Sequence, residues 1–569
     1  MDMRQAVADL LRDALTAAFP DLPKDELPGP EHLEIPPDSK LGDFAYPCFR
    51  HAKALKLAPP KIAQAVIEHL NKPELATAQQ VNAYINFFFH RGNFARNVLE
   101  LIDSKGSDYA RQPENGKTVV LDYSSINIAK RFHIGHLSTT LLGHSLKRIF
   151  THLGWKAIGI NYLGDWGTQF GKMIAAYKHW GSEQMLKEGG VTALNALYVR
   201  FHQEEESNPA LSDEGRAWFK KIEDGDPEAL AIFEQFKELT LAYAQTVYAK
   251  LGVTFDSYNG EAFFNDKMGR VIEELKEKNL LKESQGALVV DLEDDKMPPC
   301  LILKSDGTTL YATRDLAAAL WRKDEYHFDK CLYIVAYQQN LHFKQVFKVL
   351  EKMGYDWART QMEHVAFGMV SFEGQAMSTR EGNVVHLDEL LERAQEKALS
   401  IMQEKSPGIS GMEQAARTVG IGAVMFTTLL NNRIKDIDFW WDRALSFDGD
   451  TGPYVQYTHA RCCSVLKKAG EIAAAPDFAV LENDEAQAVL RLLSRFPEAV
   501  NAAAETYEPS MVTRATLELA KAFNKYYYEH RILEGSENEQ AARLMLVRAV
   551  KTTIALGLYL IGVDAPEQM

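Results

Sequence analysis

Cysteine is scarce in this 569-residue chain. The thiols Cys48, Cys300, Cys331, Cys462 and Cys463 are odd in number, and none forms a CxxC pair. Neither a disulfide framework nor a zinc ribbon is indicated, and reduced thiols in a cytosolic protein are the simplest account. Long hydrophobic runs are missing too. The longest late one, residues 554–563, is far shorter than the roughly 20 residues that span a bilayer. The opening MDMRQAVADLLRDAL is amphipathic and acid-bearing, without the unbroken apolar core of a secretory signal. An excess of positive charge is also lacking: 78 acidic residues against 63 Lys and Arg give a formal net charge of −15. That excludes nucleic-acid binding by bulk charge, while leaving room for a local basic patch. There is no internal repeat and no low-complexity tract.

What remains is the composition of an ordinary globular protein, 46% hydrophobic and 25% charged, in a chain too long for one core. Residues 1–112 read as a separate α+β unit. It has a helix over 3–18, a helical segment from about 45 to 57, another over 61–70, and a strand-rich run at 83–89. The turn cluster Gln112-Pro113-Glu114-Asn115-Gly116 marks a boundary. Residues 113–385 read as βαβ, with strands at 118–123 and 157–161 around a helix at 134–152. A charged helical insertion follows at about 180–255. Strand-like runs then resume at 287–292, 300–303, 331–336 and 365–368, alternating with helices. The pattern predicts an α/β doubly wound parallel sheet of Rossmann type. Residues 386–569 are almost wholly helical.

The chemistry concentrates in residues 119–141, VVLDYSSINIAKRFHIGHLSTTL. A buried strand gives way to a polar turn, then to Lys130 and Arg131, then to His133-Ile134-Gly135-His136 at a helix start. Free backbone N–H groups and the positive end of the helix dipole make such a junction suited to phosphate. HxGH alone recurs by chance, and these could be ordinary turn residues. A second cluster, residues 374–383, GQAMSTREGN, lies between the last predicted strand and a helix. Its hydroxyls, cation and flanking glycines suit closure over a polyphosphate, though a solvated surface loop would look the same.

Together, HIGH and the Met377-Ser378-Thr379-Arg380 loop resemble the paired signatures of class I aminoacyl-tRNA synthetases. The surrounding runs resemble the arginyl-tRNA synthetases: residues 122–130, DYSSINIAK; 161–171, NYLGDWGTQFG; 311–315, YATRD; 338–342, QQNLH; and Phe367-Gly368-Met369-Val370. Gly42-Asp43-Phe44-Ala45 with Ile85-Asn86-Phe87-Phe88 is similar to the family's N-terminal tRNA-contacting domain. Residues 452–461, GPYVQYTHAR, are similar to its anticodon-binding bundle.

The resemblance implies activation of L-arginine by ATP, taken with Mg2+, and transfer to the terminal ribose of tRNA-Arg. It implies no protein-bound zinc, no membrane, a cytoplasmic location and a monomer. Lys130, His133, His136, Met377, Ser378 and Arg380 are the expected catalytic residues. ATP would meet Lys130, His133, Gly135, His136, His342, Met369, Ser378 and Arg380. Arginine would meet Asp122, Ser124, Asn127, His136, Tyr311, Asp315 and Gln339, with Asp315 the first choice for the guanidinium, because a carboxylate matches its fork of donors. Tyr457, Arg461, Tyr527 and Met569 would meet the tRNA, the aromatic rings by stacking on splayed bases. A helix cap or buried hydrogen bond could account for any one of these positions.

The chain departs from the family pattern at four places. Ala376 and Thr379 stand where most class I enzymes carry lysine, and Lys130 would supply the missing charge. Ile126 stands where the family usually has Pro, and Ser138 where it commonly has Arg, with Arg131 unusual at its own position. A different adenylate-forming ligase and a non-enzymatic RNA-binding relative are the competing readings. The Asp315, Tyr311 and Gln339 set speaks against the first, and the intact HIGH and Lys130 against the second. If Lys130 replaces the lost lysine, Lys130→Ala lowers the rate as much as loss of a motif histidine does. Adding Ala376→Lys to that variant then recovers part of it; single-turnover aminoacylation measures both.

Overall fold

The computed structural model describes residues 3–70, 76–304, 311–374, 385–405 and 411–569. Helices α1 (Met3–Ala18) and α2 (Pro59–Glu68) pack on an antiparallel sheet of β1 (Phe44–Pro47), β2 (Ala76–Val81) and β3 (Tyr84–Phe89), in the order β1-β3-β2. Val7, Leu11, Tyr46, Ile62, Ile85 and Phe87 form its core. The helical segment expected from about 45 to 57 starts later, as a 3-10 turn at Cys48–His51 and a short helix at Ala52–Leu55, because Phe44 to Pro47 pair with Phe87 to Tyr84 as strand β1. The polar edge strand β2, ATAQQV, has no apolar run to betray it. Helix α3 (Arg91–Lys105) leads out of this unit.

The next unit is built on β4 (Thr118–Asp122), α4 (Gly135–His152) and β5 (Lys156–Ile160). Four long helices follow: α5 (Thr168–Trp180), α6 (Glu183–Ser207), α7 (Ala210–Glu223) and α8 (Pro227–Leu251). They form the expected insertion. Helix α9 (Met268–Glu277) then precedes β6 (Leu281–Ser284), β7 (Ala287–Val290) and β8 (Cys300–Leu303). Next come α10 (Tyr311–Tyr326), β9 (Lys330–Tyr333), α11 (Asn340–Lys352), β10 (Met362–His364) and β11 (Val370–Phe372).

The main sheet is wholly parallel, in the order β10-β9-β4-β5. Its strand β4 alternates strictly. Val119 and Leu121 enter the core shared with α4 and the helical units, whereas Val120 enters a second core with Ile158, Cys331 and Leu316. A sheet covered on both faces is what a continuous apolar strand demands.

Two expectations need correction. The runs at 287–292 and 300–303 do not extend the parallel sheet, since β6, β7 and β8 form a separate antiparallel meander. The strand expected at 365–368 is displaced to β10 and β11 on either side. Apolar content locates a strand but not the sheet it joins.

Helices α12 (Leu387–Lys405), α13 (Met412–Leu430), α14 (Gly452–Ala469), α15 (Asp484–Glu505), α16 (Ser510–Glu529) and α17 (Glu537–Leu560) complete the chain, with the short strand β12 (Ile437–Phe439) between α13 and α14. β12 pairs in parallel with β11, so strand pairing crosses position 385. No helix among the described residues is long and apolar enough to cross a membrane.

Candidate active site

The site lies at the carboxyl ends of the main strands, where a parallel sheet opens its crevice. Immediately after β4 the chain turns sharply. Ser124, Ser125 and Ala129 all take left-handed backbone conformations, with φ of 72°, 44° and 65°. Non-glycine residues pay a steric cost there, so the surroundings must hold them. The inserted helix α8 does so. Thr240 Oγ1 accepts a hydrogen bond from Ala129 N at 2.9 Å, and Tyr248 Oη lies 2.7 Å from both Ser124 Oγ and Asn161 Nδ2. Ile126 fills core space, while Gly164 N donates to its carbonyl (2.8 Å) and Gly164 O accepts from Ile128 N (3.2 Å). Cross-strand bonds thus supply the rigidity that a proline ring would give. A Cβ on Gly164 would overlap Asn127 Oδ1.

The motif histidines follow. His133 Nδ1 accepts from Gly135 N at 3.1 Å, and His136 Nδ1 accepts from His133 N at 3.3 Å. An imidazole that accepts at Nδ1 carries its proton on Nε2, which leaves that atom as a donor. Burial first, and then neighbouring positive charge, pushes His133 down to about 4 and His136 to about 3. Both rings are therefore neutral donors at pH 7 and contribute no charge. A side chain at Gly135 would collide with the His133 ring.

Charge at the junction comes from Lys130. Its ammonium lies 5.0 Å from the centroid of the Tyr198 ring of α6, and burial lowers its pKa. Arg131 points elsewhere. Its Nη2 binds Asp388 Oδ1 and Oδ2 at 3.0 and 2.9 Å and Glu389 Oε1 at 2.9 Å. These acids lie in the first turn of α12. Arg131 therefore does not replace the arginine absent at Ser138, which is itself buried. The chain just past the second motif also returns here: Ile134 N donates to Val385 O and Leu387 N to Phe132 O, each at 3.0 Å. Met377, Ser378 and Arg380 themselves lie outside the described residues.

A second group of side chains is acidic. Asp315 Oδ2 is 2.6 Å from His342 Nε2. Glu261, which follows the insertion, lies 3.5 Å from Arg314 Nη1. Burial raises the Glu261 carboxyl to about 7; Arg314 opposes the rise, and Asp315 and Asp165 add to it. The Tyr162 hydroxyl is buried without a hydrogen-bond partner. Gln339 and Tyr311 are exposed, the latter 66% accessible at the first turn of α10. Met369 Sδ accepts from Gln338 Nε2 at 3.1 Å. Sequence reasoning missed Glu261 and Tyr162. Glu261 belongs to no motif, and Tyr162 lies in the 161–171 run without a role that local sequence assigns; only folding brings both near Asp315.

Two expected arginine contacts are otherwise engaged. Asp122 is fully buried, with Oδ2 2.8 Å from Arg322 Nη2 and Oδ1 accepting from Ser125 Oγ at 3.0 Å. Arg322 is itself sandwiched by the rings of Tyr162 and Tyr333, at 5.1 and 5.4 Å. Ser124 Oγ is taken up by Tyr248 and Thr140. Both residues build the floor of the site. Asn127, by contrast, is exposed.

Far from this crevice, Arg461 of α14 lies between two rings, 4.8 Å from Tyr457 and 5.1 Å from Tyr527. The tyrosine triplet of α16 divides cleanly: Tyr526 is 0% exposed, Tyr528 is 90% exposed, and Tyr527 is half-buried. The C-terminal tail is tied to α14 through Gln456 Nε2 to Asp564 O and His459 Nδ1 to Pro566 O, both 2.9 Å. Met569 packs at its end.

Comparison with known proteins matches three family models in succession. "Arginyl tRNA synthetase N terminal domain" matches residues 5–89, "tRNA synthetases class I (R), catalytic domain" residues 98–441, and "DALR anticodon binding domain" residues 455–569. The arginine–tRNA ligase of Alkaliphilus metalliredigens is 50% identical over 543 residues, covering 95% of this chain and 96% of that protein. That of Clostridium perfringens is 47% identical over 573 residues, covering both chains fully. Among solved structures, the Thermus thermophilus arginyl-tRNA synthetase superposes with a TM-score of 0.84 at 29% identity, also over the whole of both chains.

Two expectations follow from the geometry. Arg322→Leu strands the Asp122 carboxylate and costs ~3–5 kcal/mol in denaturant unfolding; adding Asp122→Asn returns part of that loss. The second concerns pH. A carboxylate must be ionised to pair with a guanidinium, and Glu261 is a candidate for that contact with substrate. Its pKa near 7 leaves roughly a tenth of the molecules competent at pH 6. Arginine affinity, measured by calorimetry, therefore strengthens about tenfold from pH 6 to pH 8. Glu261→Gln flattens that dependence.

Proposed function

The chain belongs to the arginyl-tRNA synthetases, and we propose from that premise how its own residues divide the work of joining L-arginine to tRNA-Arg with ATP. The observation that carries the reading is the pairing, at the carboxyl end of one sheet, of a junction that bears Lys130 and two neutral imidazoles with a half-buried acidic group. The first suits a triphosphate and the second a guanidinium.

In the first step an oxygen of the arginine carboxylate attacks the α-phosphorus of ATP, taken as its magnesium complex. The bond to the β-phosphate bridging oxygen breaks and pyrophosphate leaves. Catalysis here is positioning and stabilisation of charge on phosphate oxygens. His133 and His136 donate Nε2–H to those oxygens, and Lys130 supplies the positive charge that neutral imidazoles cannot. Ser378 and Arg380 of the second motif are assigned to the β- and γ-phosphates by the family resemblance. Met369 and His342 border the nucleotide. In the second step a terminal ribose hydroxyl attacks the adenylate carbonyl carbon and AMP departs. No enzyme nucleophile is needed, because AMP is already a good leaving group.

Asp315 and Glu261 grip the guanidinium, with Tyr311 and the Tyr162 hydroxyl beside them, and Asn127 and Gln339 hold the α-amino and carboxylate end. Tyr457, Arg461, Tyr527 and Met569 meet the anticodon loop. The ring faces turned away from Arg461 offer the stacking surface. Three units, 1–112, 113–385 and 386–569, carry tRNA contact, catalysis and anticodon binding in turn.

Arginine-dependent exchange between ATP and labelled pyrophosphate tests the reading. Exchange is expected with tRNA present and not without it, and its absence under every condition overturns the assignment. Asp315→Ala should raise the arginine KM by about 10–150-fold, the equivalent of one charge-assisted pair, while ATP KM stays within a small factor.

A further inference from the structure

A cavity of about 290 Å³ opens where three parts of the molecule meet. Its walls come from α4 of the catalytic unit, the last turn of the inserted helix α8, α13, and the tail beyond α17. Three cations line it, Arg148, Lys250 and Arg417, against the single carboxylate of Asp564. Lys250 is matched by Glu392, with Nζ 2.9 Å from Oε1. The two guanidiniums are not. Arg148 donates Nη1 to Tyr559 O at 2.7 Å and lies over the Tyr559 ring at 4.6 Å, so its partners are a carbonyl and a ring face. Arg417 has no ion pair or hydrogen bond among the described residues, and Gln414, one turn before it, is exposed beside it.

In a chain of net charge −15, a cavity lined by three cations and one carboxylate, that of Asp564, stands out as a positive site. Burial lowers the Arg148 pKa, and Tyr559 and the Asp564 carboxylate oppose that fall only in part. The inner wall is kept open by Gly562, whose φ of +83° also disfavours other residues. A Cβ there would come within 3.0 Å of Met425 Cε and 3.3 Å of the His144 ring.

We propose that this cavity binds a phosphate-type oxyanion, with Arg148 and Arg417 as its guanidinium ligands and Gln414 and Lys250 at its rim. Guanidinium forks match tetrahedral oxyanions in bidentate fashion. Two sources share this chemistry. One is a backbone phosphate of bound tRNA, which here would touch the catalytic unit, the insertion and the helical unit at once. The other is a free phosphate or pyrophosphate ion. The site is separate from the crevice described above, and binding of the free ion does not depend on the ligase reading.

The test compares the full-length chain with Arg417→Glu and Gln414→Glu, both at exposed positions, and with Arg417→Lys as the conservative variant. tRNA-Arg binding is followed by anisotropy between roughly 50 and 200 mM salt. Thermal unfolding is followed in parallel with inorganic phosphate or pyrophosphate, against chloride at equal ionic strength. If the source is tRNA, Arg417→Glu weakens binding about tenfold and lowers the salt slope by about one. Arg417→Lys keeps most of the affinity, and arginine and ATP KM are unchanged. If the source is the free ion, phosphate raises the wild-type Tm and the two Glu variants lose that rise while binding tRNA normally. Either result supports the proposal. Unaltered tRNA affinity and salt slope, together with no phosphate-dependent Tm shift that the variants abolish, overturns it.

Discussion

Everything at the catalytic crevice hangs on a turn held in an unfavourable backbone conformation. Ser124, Ser125 and Ala129 occupy the left-handed region, each at a cost of about 1–3 kcal/mol. No glycine relieves them. Hydroxyls from the inserted helix α8 hold them instead, Thr240 on the Ala129 amide and Tyr248 on Ser124. From this fixed turn the chain delivers Asn127, Lys130, His133 and His136 in turn to one rim. The insertion thus sets the geometry of the rim that carries the motif histidines, and its Tyr198 ring lies against the Lys130 ammonium.

Electrostatics then separates the two halves of the crevice. On one side the histidines are held neutral by burial, so among the described residues charge at the motif falls on Lys130, whose own pKa burial lowers. On the other, burial above all, with Asp315 and Asp165 adding to it, raises the Glu261 carboxyl to about 7. Between them runs the Asp122–Arg322 pair, buried on both sides and closed to solvent. A built-in guanidinium satisfies the acid nearest the strand end, whereas Glu261 and Asp315 stay partly accessible.

The second unusual cation has a different use. Arg131 leaves the phosphate edge and ties it to the start of α12 through Asp388 and Glu389. With the backbone bonds between residues 132–134 and 385–387, it joins the chain flanking the two motifs into one frame. The departure at Ser138 is accommodated by burial of a small side chain rather than by a substituted charge.

The local signals in this sequence determined much of the architecture. An unbroken apolar run located the central strand, which is buried on both faces, and period-3.6 patterns located the helices, which bury one apolar stripe each. The strand-to-helix site was legible since its donors are consecutive in the chain. Edge strand β2 and the meander β6–β8 escaped, having no apolar signature that names their partners. The same limit governs side chains. That Asp122 is neutralised by Arg322, that Arg131 reaches α12, and that Glu261 and Tyr162 stand beside Asp315 are matters of contact between residues far apart in the chain. Sequence supplied the residue types with the right chemistry. Only tertiary packing decided which of them face substrate and which face one another, because burial and partner charge act through space and not along the chain.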